Sequence, residues 1–266
     1  MSFVIYKKQI RKSWLVAVLP GVGLAVFIAL FAVAFPEFKS QAADLQDLMQ
    51  SSFYQLILGS YAQNQMDTWS GFYSLEVFMF LEIAVIFMAV FLGGGIITRE
   101  VDKQTFDMIL SLPIPRWKLI LTKFMVYQTI GAGVLAIMFI ATFGFTVAIG
   151  ESFNFAGLVL TLMGFWILYL AMGAIALLLA TVVLSSKTTY ALGGGAFIGM
   201  WIVERIVGMA ESLQSLQNIS LFHYVDPTEM IQNNATPVID FLVLLLVGLV
   251  ALVLALLLVE RRDLTY

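Results

Sequence analysis

Residues 238–259 read VIDFLVLLLVGLVALVLALLLV, a run of 22 positions with one charge, Asp240, close to its start. A helix needs about 20 consecutive apolar residues to cross the roughly 30 Å hydrocarbon core of a bilayer, and this stretch meets that length. It reads as a membrane span. Working back along the chain, five further runs qualify: Trp14–Phe35, Tyr73–Thr98, Trp117–Ile149, Phe155–Leu184 and Thr189–Met209. The third and fourth are long enough to tilt or to protrude. Composition agrees, because 61% of the 266 residues are hydrophobic and 12% are charged, whereas soluble domains carry about 25% charged residues. The expected fold is an all-α membrane protein of six transmembrane helices, forming a single domain over residues 1–266.

The same composition removes several chemistries. There is no cysteine, so disulfides and thiolate metal sites are excluded, and His223 is the single histidine. No G-x-S-x-G, H-E-x-x-H or phosphate-binding G-x-x-x-x-G-K-[ST] stretch occurs. The chain is not expected to be an enzyme. Its first apolar run is too long for the 7 to 15 residue core of a removable signal and should remain as a helix.

The basic residues set the expected orientation. Lys7, Lys8, Arg11 and Lys12 precede the first span, five more lie between Arg99 and Lys123, Lys187 sits between the fourth and fifth spans, and Arg261 and Arg262 follow the sixth. By the positive-inside rule this side is cytoplasmic, and both termini belong to it. Only Lys39 and Arg205 fall elsewhere. Before the first span, Phe3, Tyr6, Ile10 and Trp14 recur at steps of three and four opposite the four basic residues, the pattern of an interfacial helix lying along the leaflet. On the other side, residues 40–62 carry helically spaced apolar positions, and the loop Glu211–Thr236 is long and apolar enough to fold back onto the membrane.

The longest cytoplasmic stretch, TREVDKQTFDMILSLPIPRWKLILTK (98–123), is too patterned for a spacer. Thr105 can cap a short helix, Asp107 lies where the helix dipole favours an anion, and Pro113 and Pro115 end it. Phe106, Met108, Ile109, Leu110 and Leu112 need cover from the spans or from another protein.

At these residues the chain resembles the permease subunits of type-2 ABC transporters. Glu100, Thr105, Leu110, Pro113, Arg116 and Lys123 stand where that family has its acidic residue, threonine, leucine-rich short helix, proline, basic residue and lysine; Gln104 replaces a frequent glycine. The basic start resembles the family's elbow helix, with Lys7, Lys8, Arg11, Lys12 and Trp14 as its membrane anchors. The stretch FHYVDP (222–227) resembles its loop before the last span, and Arg262-Asp263-Leu264 its ending. The resemblance implies an exporter permease in a prokaryotic cell membrane, in which Glu100, Thr105, Phe106, Asp107, Leu110, Pro113 and Arg116 form or flank a coupling helix seated on an ABC ATPase subunit. ATP and magnesium would be bound by that partner. It also implies a second permease, identical or homologous; no nucleic-acid partner is expected.

Small residues at four-residue steps, Ala17, Gly21 and Ala25 in the first span and Gly195 with Gly199 in the fifth, could form the seam between two such permeases or pack within one chain. Glu82, Glu204 and Arg205 are the ionisable groups deepest in apolar runs, and such groups normally face a cavity or a partner. A competing reading uses Glu82 and Glu204 for ion coupling, making the chain a secondary transporter or channel that needs no ATPase. For His223, a structural role is the expectation.

Overall fold

In hydrocarbon every backbone amide and carbonyl must find its partner inside its own segment, which leaves helices as the conformation open to long apolar runs. The computed structural model describes residues 3–41, 67–103, 115–207, 217–232 and 237–261. Among them no strand occurs. Helix α1 spans Phe3–Ser40 and α2 spans Trp69–Met88, which passes through a π-helical turn, Ala89–Gly93, into α3, Gly95–Asp102. There follow α4 (Arg116–Ile149), α5 (Phe155–Val183), α6 (Ser186–Val207), a 3-10 turn (Leu221–Tyr224), α7 (Pro227–Gln232) and α8 (Val238–Arg261). Among the described residues six helical stretches are long and apolar enough to span, and each overlaps one of the six runs read from the sequence.

The spans alternate in direction, so the N-terminus, the α3 and α4 ends near residues 103 and 116, the α5–α6 turn and the end of α8 gather at one end of the bundle. We call this the N-terminal end and the opposite one the distal end. Helix α5 is the axis: α2, α3, α4, α6, α7 and α8 all touch it, while α1 lies along α4 and α8 along α5. Burial follows, with 61% of the most apolar window of α5 enclosed against 22% in α1 and in α6. Short turns close the connections. Gly150 ends α4 in the left-handed region at φ 71°, and Asn154 caps α5 by accepting from Gly157 N–H at 3.1 Å.

Close approach at the axis depends on glycines. Tyr127 of α4 donates to the Tyr169 carbonyl at 2.6 Å, Tyr169 of α5 donates to the Tyr127 carbonyl at 3.3 Å, and the two rings stack at 4.0 Å. Each ring lies over a glycine of the other helix: a Cβ at Gly131 would collide with the Tyr169 ring, and one at Gly173 with the Tyr127 ring. Gly173 also meets the π turn that follows α2, because a Cβ at Gly93 would stand 2.9 Å from the Gly173 backbone. Toward the distal end an aromatic layer takes over. Phe35, Trp69, Phe72 and Tyr73 are buried together, Trp69 Nε1 donates to Thr146 Oγ1 at 2.8 Å, and Tyr73 shares a 2.6 Å hydrogen bond with Thr142.

Two stretches outside the spans can be compared with their expectations. The basic N-terminal stretch forms the opening of α1, which is continuous from Phe3 to Ser40. No residue before Pro20 interrupts the helix, and Tyr6 shares a 2.7 Å hydrogen bond with Thr129, which holds the stretch against α4. The loop after α6 does fold back: Leu221, Phe222, Val225, Met230 and Ile231 are buried, and α7 packs on α5 and α2. Residues 42–62 and 105–113, for which the sequence suggested an outer surface helix and a short coupling helix, lie outside the described residues, as does Arg262-Asp263-Leu264.

Overpacking a filled core costs about 1–3 kcal/mol. Gly93→Ala and Gly173→Ala should each lower the melting temperature of the detergent-purified chain, whereas Gly23→Ala and Gly144→Ala, whose new methyl groups meet nothing within 4 Å, should leave it unchanged or raise it. Differential scanning fluorimetry of the four variants separates these outcomes.

Candidate functional site

Two charged clusters stand out, one at the N-terminal end and one buried along the α2–α6 contact. At the N-terminal end, Glu100 of α3 forms an ion pair with Lys123 of α4, whose ammonium is buried and lies 3.4 Å from the Ile96 carbonyl. The neighbouring Arg99 donates to the Phe91 carbonyl inside the π turn at 2.9 Å and to Tyr190 Oη of α6 at 3.3 Å. Thr98 accepts from Ser186 Oγ at 2.8 Å. Helix α3 is therefore tied sideways to α4 and α6 and backwards to its own π turn, an element that recurs at functional sites.

This arrangement fixes both roots of residues 104–114. The chain leaves α3 one residue past Asp102 and re-enters at Arg116, the first residue of α4, with Pro115 as its N-cap. Thr105, Phe106, Asp107, Leu110 and Pro113 fall outside the described residues. On α1, Lys7, Lys8, Arg11, Lys12 and Trp14 are exposed, and Lys8 and Lys12 turn towards α3 and α4, where they line a cavity with Arg99, Lys103 and Lys123.

The second cluster joins residues that the sequence left unpaired. Glu82 of α2 takes an ion pair from Arg205 Nη2 of α6 and a hydrogen bond from Trp201 Nε1 at 2.7 Å; the Arg205 guanidinium lies 5.2 Å from the Trp201 ring centre. At 1.5 Å rise per residue, Glu82 sits roughly 20 Å along the axis from Trp69 at the distal start of α2. The pair is buried. Glu204 turns the other way, as expected of a neighbour on a helix, and its Oε1 lies 3.5 Å from His223 Nδ1 in the folded-back loop. Arg205 points instead to α2, where an acid across the helix contact matches its guanidinium at that depth.

The FHYVDP stretch has a local logic. Asp226 Oδ1 accepts from the N–H groups of Thr228 at 2.8 Å and Glu229 at 3.3 Å, and Pro227 takes the first helical position, where its missing N–H costs nothing. Burial raises the Asp226 carboxyl above its ordinary pKa, and the two amides partly offset this.

The small-residue positions divide. Gly21 is buried against Ile137 of α4, and Ala17 packs near Gly133, so the α1 ladder is used within the chain. Ala25 is half-buried on the same helix. Gly195 and Gly199 on α6 have open space where a Cβ would stand. The Tyr–Gly exchange escaped the sequence reading, although its signal is there: Y-x-x-x-G occurs at 127–131 and again at 169–173.

Removing one member of a buried ion pair strands the other, at about 3–5 kcal/mol. Glu82→Gln and Arg205→Met should each destabilise the chain by that order, and the double variant should recover most of the loss. A double-mutant cycle on detergent unfolding reads the coupling; additive losses would mean that the two side chains act independently.

A family model described as ABC-2 family transporter protein matches residues 4–264. No curated protein and no solved structure gives a match. The matched region takes in all six spans, the folded-back loop and both charged clusters, and the chain belongs to the ABC-2 transporter family.

Proposed function

We propose that this ABC-2 permease is the membrane subunit of an ATP-driven exporter, powered by separate ABC ATPase subunits that bind ATP and magnesium. The observation that carries the reading is the family match along residues 4–264. The geometry at the N-terminal end supports it. A segment meant to transmit force needs stiff roots, and the Glu100–Lys123 ion pair together with the Arg99 and Thr98 hydrogen bonds supplies them. In this reading residues 105–112 form the coupling helix, with Phe106 and Leu110 seated in a groove of the ATPase and Asp107 and Arg116 at its edges.

Both termini then face the cytoplasm of a prokaryotic cell, in accord with the basic residues gathered at that end. A second permease, a copy of this chain or a homologue, packs on α6, where Gly195 and Gly199 leave room for close helix approach. Closure of the two ATPases pulls on α3 and α4 and opens the path between the permeases in turn to either side.

A buried aromatic anchor at a protein interface is commonly worth about 2 kcal/mol or more. Phe106→Ala and Asp107→Lys should cut co-purification of the cognate ATPase by roughly tenfold or more with the melting temperature of the permease unchanged. Glu100→Gln, which loosens a root without touching the interface, should retain docking and lower transport-coupled ATP turnover. Undiminished docking of the Phe106 and Asp107 variants would contradict the assignment. Transport by the purified chain alone under an ion gradient would favour the ion-coupled reading.

A further inference from the structure

A cavity of about 610 Å³ opens at the N-terminal end between α1, α3 and α4. Its lining combines two characters. Leu92, Ile96, Leu119, Val126 and Ile130 form an apolar wall, and five cationic side chains, Lys8, Lys12, Arg99, Lys103 and Lys123, surround it with a single carboxylate, Glu100. That carboxylate is taken by Lys123, and Arg99 is held by the Phe91 carbonyl and Tyr190. Lys8, Lys12 and Lys103 make no ion pair among the described residues.

Such a cluster is unfavourable by itself. Lys8 and Lys12 stand four residues apart on α1, a spacing at which like charges repel, and Lys103 faces the same space from α3. An anion between them relieves the repulsion. A small soluble anion would leave the apolar wall wet, whereas an amphiphile with a phosphate at one end and an acyl chain at the other satisfies both halves. The cavity also sits where α1 and α3 leave the apolar zone, the depth at which lipid phosphates lie and lysines extend towards them.

The geometry points to a binding site for one anionic phospholipid, with its headgroup phosphate among Lys8, Lys12 and Lys103 and the start of its acyl chain along Ile96, Leu119 and Ile130. The lipid ties α1 to the root of the 104–114 segment, and bilayer composition thereby sets the stiffness of that corner. The inference needs only that the chain spans a bilayer and is independent of the ATPase reading.

The test uses the full chain reconstituted in phosphatidylcholine bilayers doped with phosphatidylglycerol, extracted gently and weighed by native mass spectrometry to count retained lipids. Wild type should retain phosphatidylglycerol in preference to phosphatidylcholine. A lysine near an anionic headgroup contributes about fivefold, so the Lys8→Gln, Lys12→Gln, Lys103→Gln triple variant should lose that retention by tenfold or more. The corresponding triple Arg variant should keep it, as should Lys7→Gln, Arg11→Gln, Lys187→Gln, which removes equal charge from the same end outside the cavity. Equal retention of both lipids by wild type would overturn the site, and so would an unaffected Gln variant or an equal loss in the control variant. Displacement of the lipid by inorganic phosphate alone would assign the cavity to a free anion instead and would equally refute a phospholipid site.

Discussion

The bundle depends on one crossing, where the Gly93 and Gly173 backbones meet and the Tyr127 ring lies against Gly173. Lipid tails are as apolar as leucine, so burying apolar side chains provides little net drive for helices to associate in a membrane; close contact and hydrogen bonds must do it. At this crossing both operate. The glycines let the π turn approach α5 at backbone distance and let α4 and α5 seat each other's tyrosine rings, and each tyrosine hydroxyl ends on a main-chain carbonyl of the opposite helix. Because α4 and α5 run antiparallel and each offers a tyrosine four residues before a glycine, one pattern used twice gives a reciprocal lock. Every other helix is placed relative to this triple contact, α1 through α4 and α6, α7 and α8 through α5.

Polar groups elsewhere in the spans follow the same constraint. An indole, a phenol or a carboxylate in hydrocarbon is costly unless paired, and the pairs found here each join different elements: Trp69 to Thr146, Tyr73 to Thr142, Glu82 to Arg205 and Trp201. Threonines on α4, α5 and α3 return their hydroxyls to the carbonyl four residues back, as Thr142, Thr161 and Thr98 do. The polar residues of the spans thus act as the register marks of the bundle, whereas the exposed valines and leucines of α1 and α8 form its outer face.

What the sequence disclosed follows from what is local. Span number was legible because hydrophobicity and helix length are properties of contiguous residues; the helix starts at 116 and 155 lie at the runs beginning at Trp117 and Phe155, whereas α1 extends well beyond Trp14–Phe35 at both ends. The folded-back loop was legible from its apolar content. Pairings across more than a hundred positions, Glu82 with Arg205 or Tyr6 with Thr129, depend on which helix faces which, and one sequence carries no mark of that. The lie of the basic N-terminal stretch was ambiguous for a related reason. An amphipathic stripe states that two faces differ but not what meets each, and here Tyr6 of the apolar stripe bonds Thr129 of α4 while Lys8 and Lys12 turn to a cavity. The α1 ladder was similarly ambiguous, and Ile137 settles it for Gly21.

The two charged clusters are joined by a single rod. Glu82 lies on α2 and Glu100 on α3, with the π turn between them, and the rod is clamped at one point to α6 through Arg205 and at the other to α4 through Lys123. A displacement of the α3 end therefore has two outlets: distortion of the π turn, which Arg99 braces through the Phe91 carbonyl, or movement of α2 as a body. Gly93 closes the second outlet at its own level, since its backbone is wedged against Gly173 of the axial helix and cannot slide without parting the tyrosine lock. The Gly93–Gly173 contact therefore lies between the two clamps and ties the rod to the axial helix at the π turn.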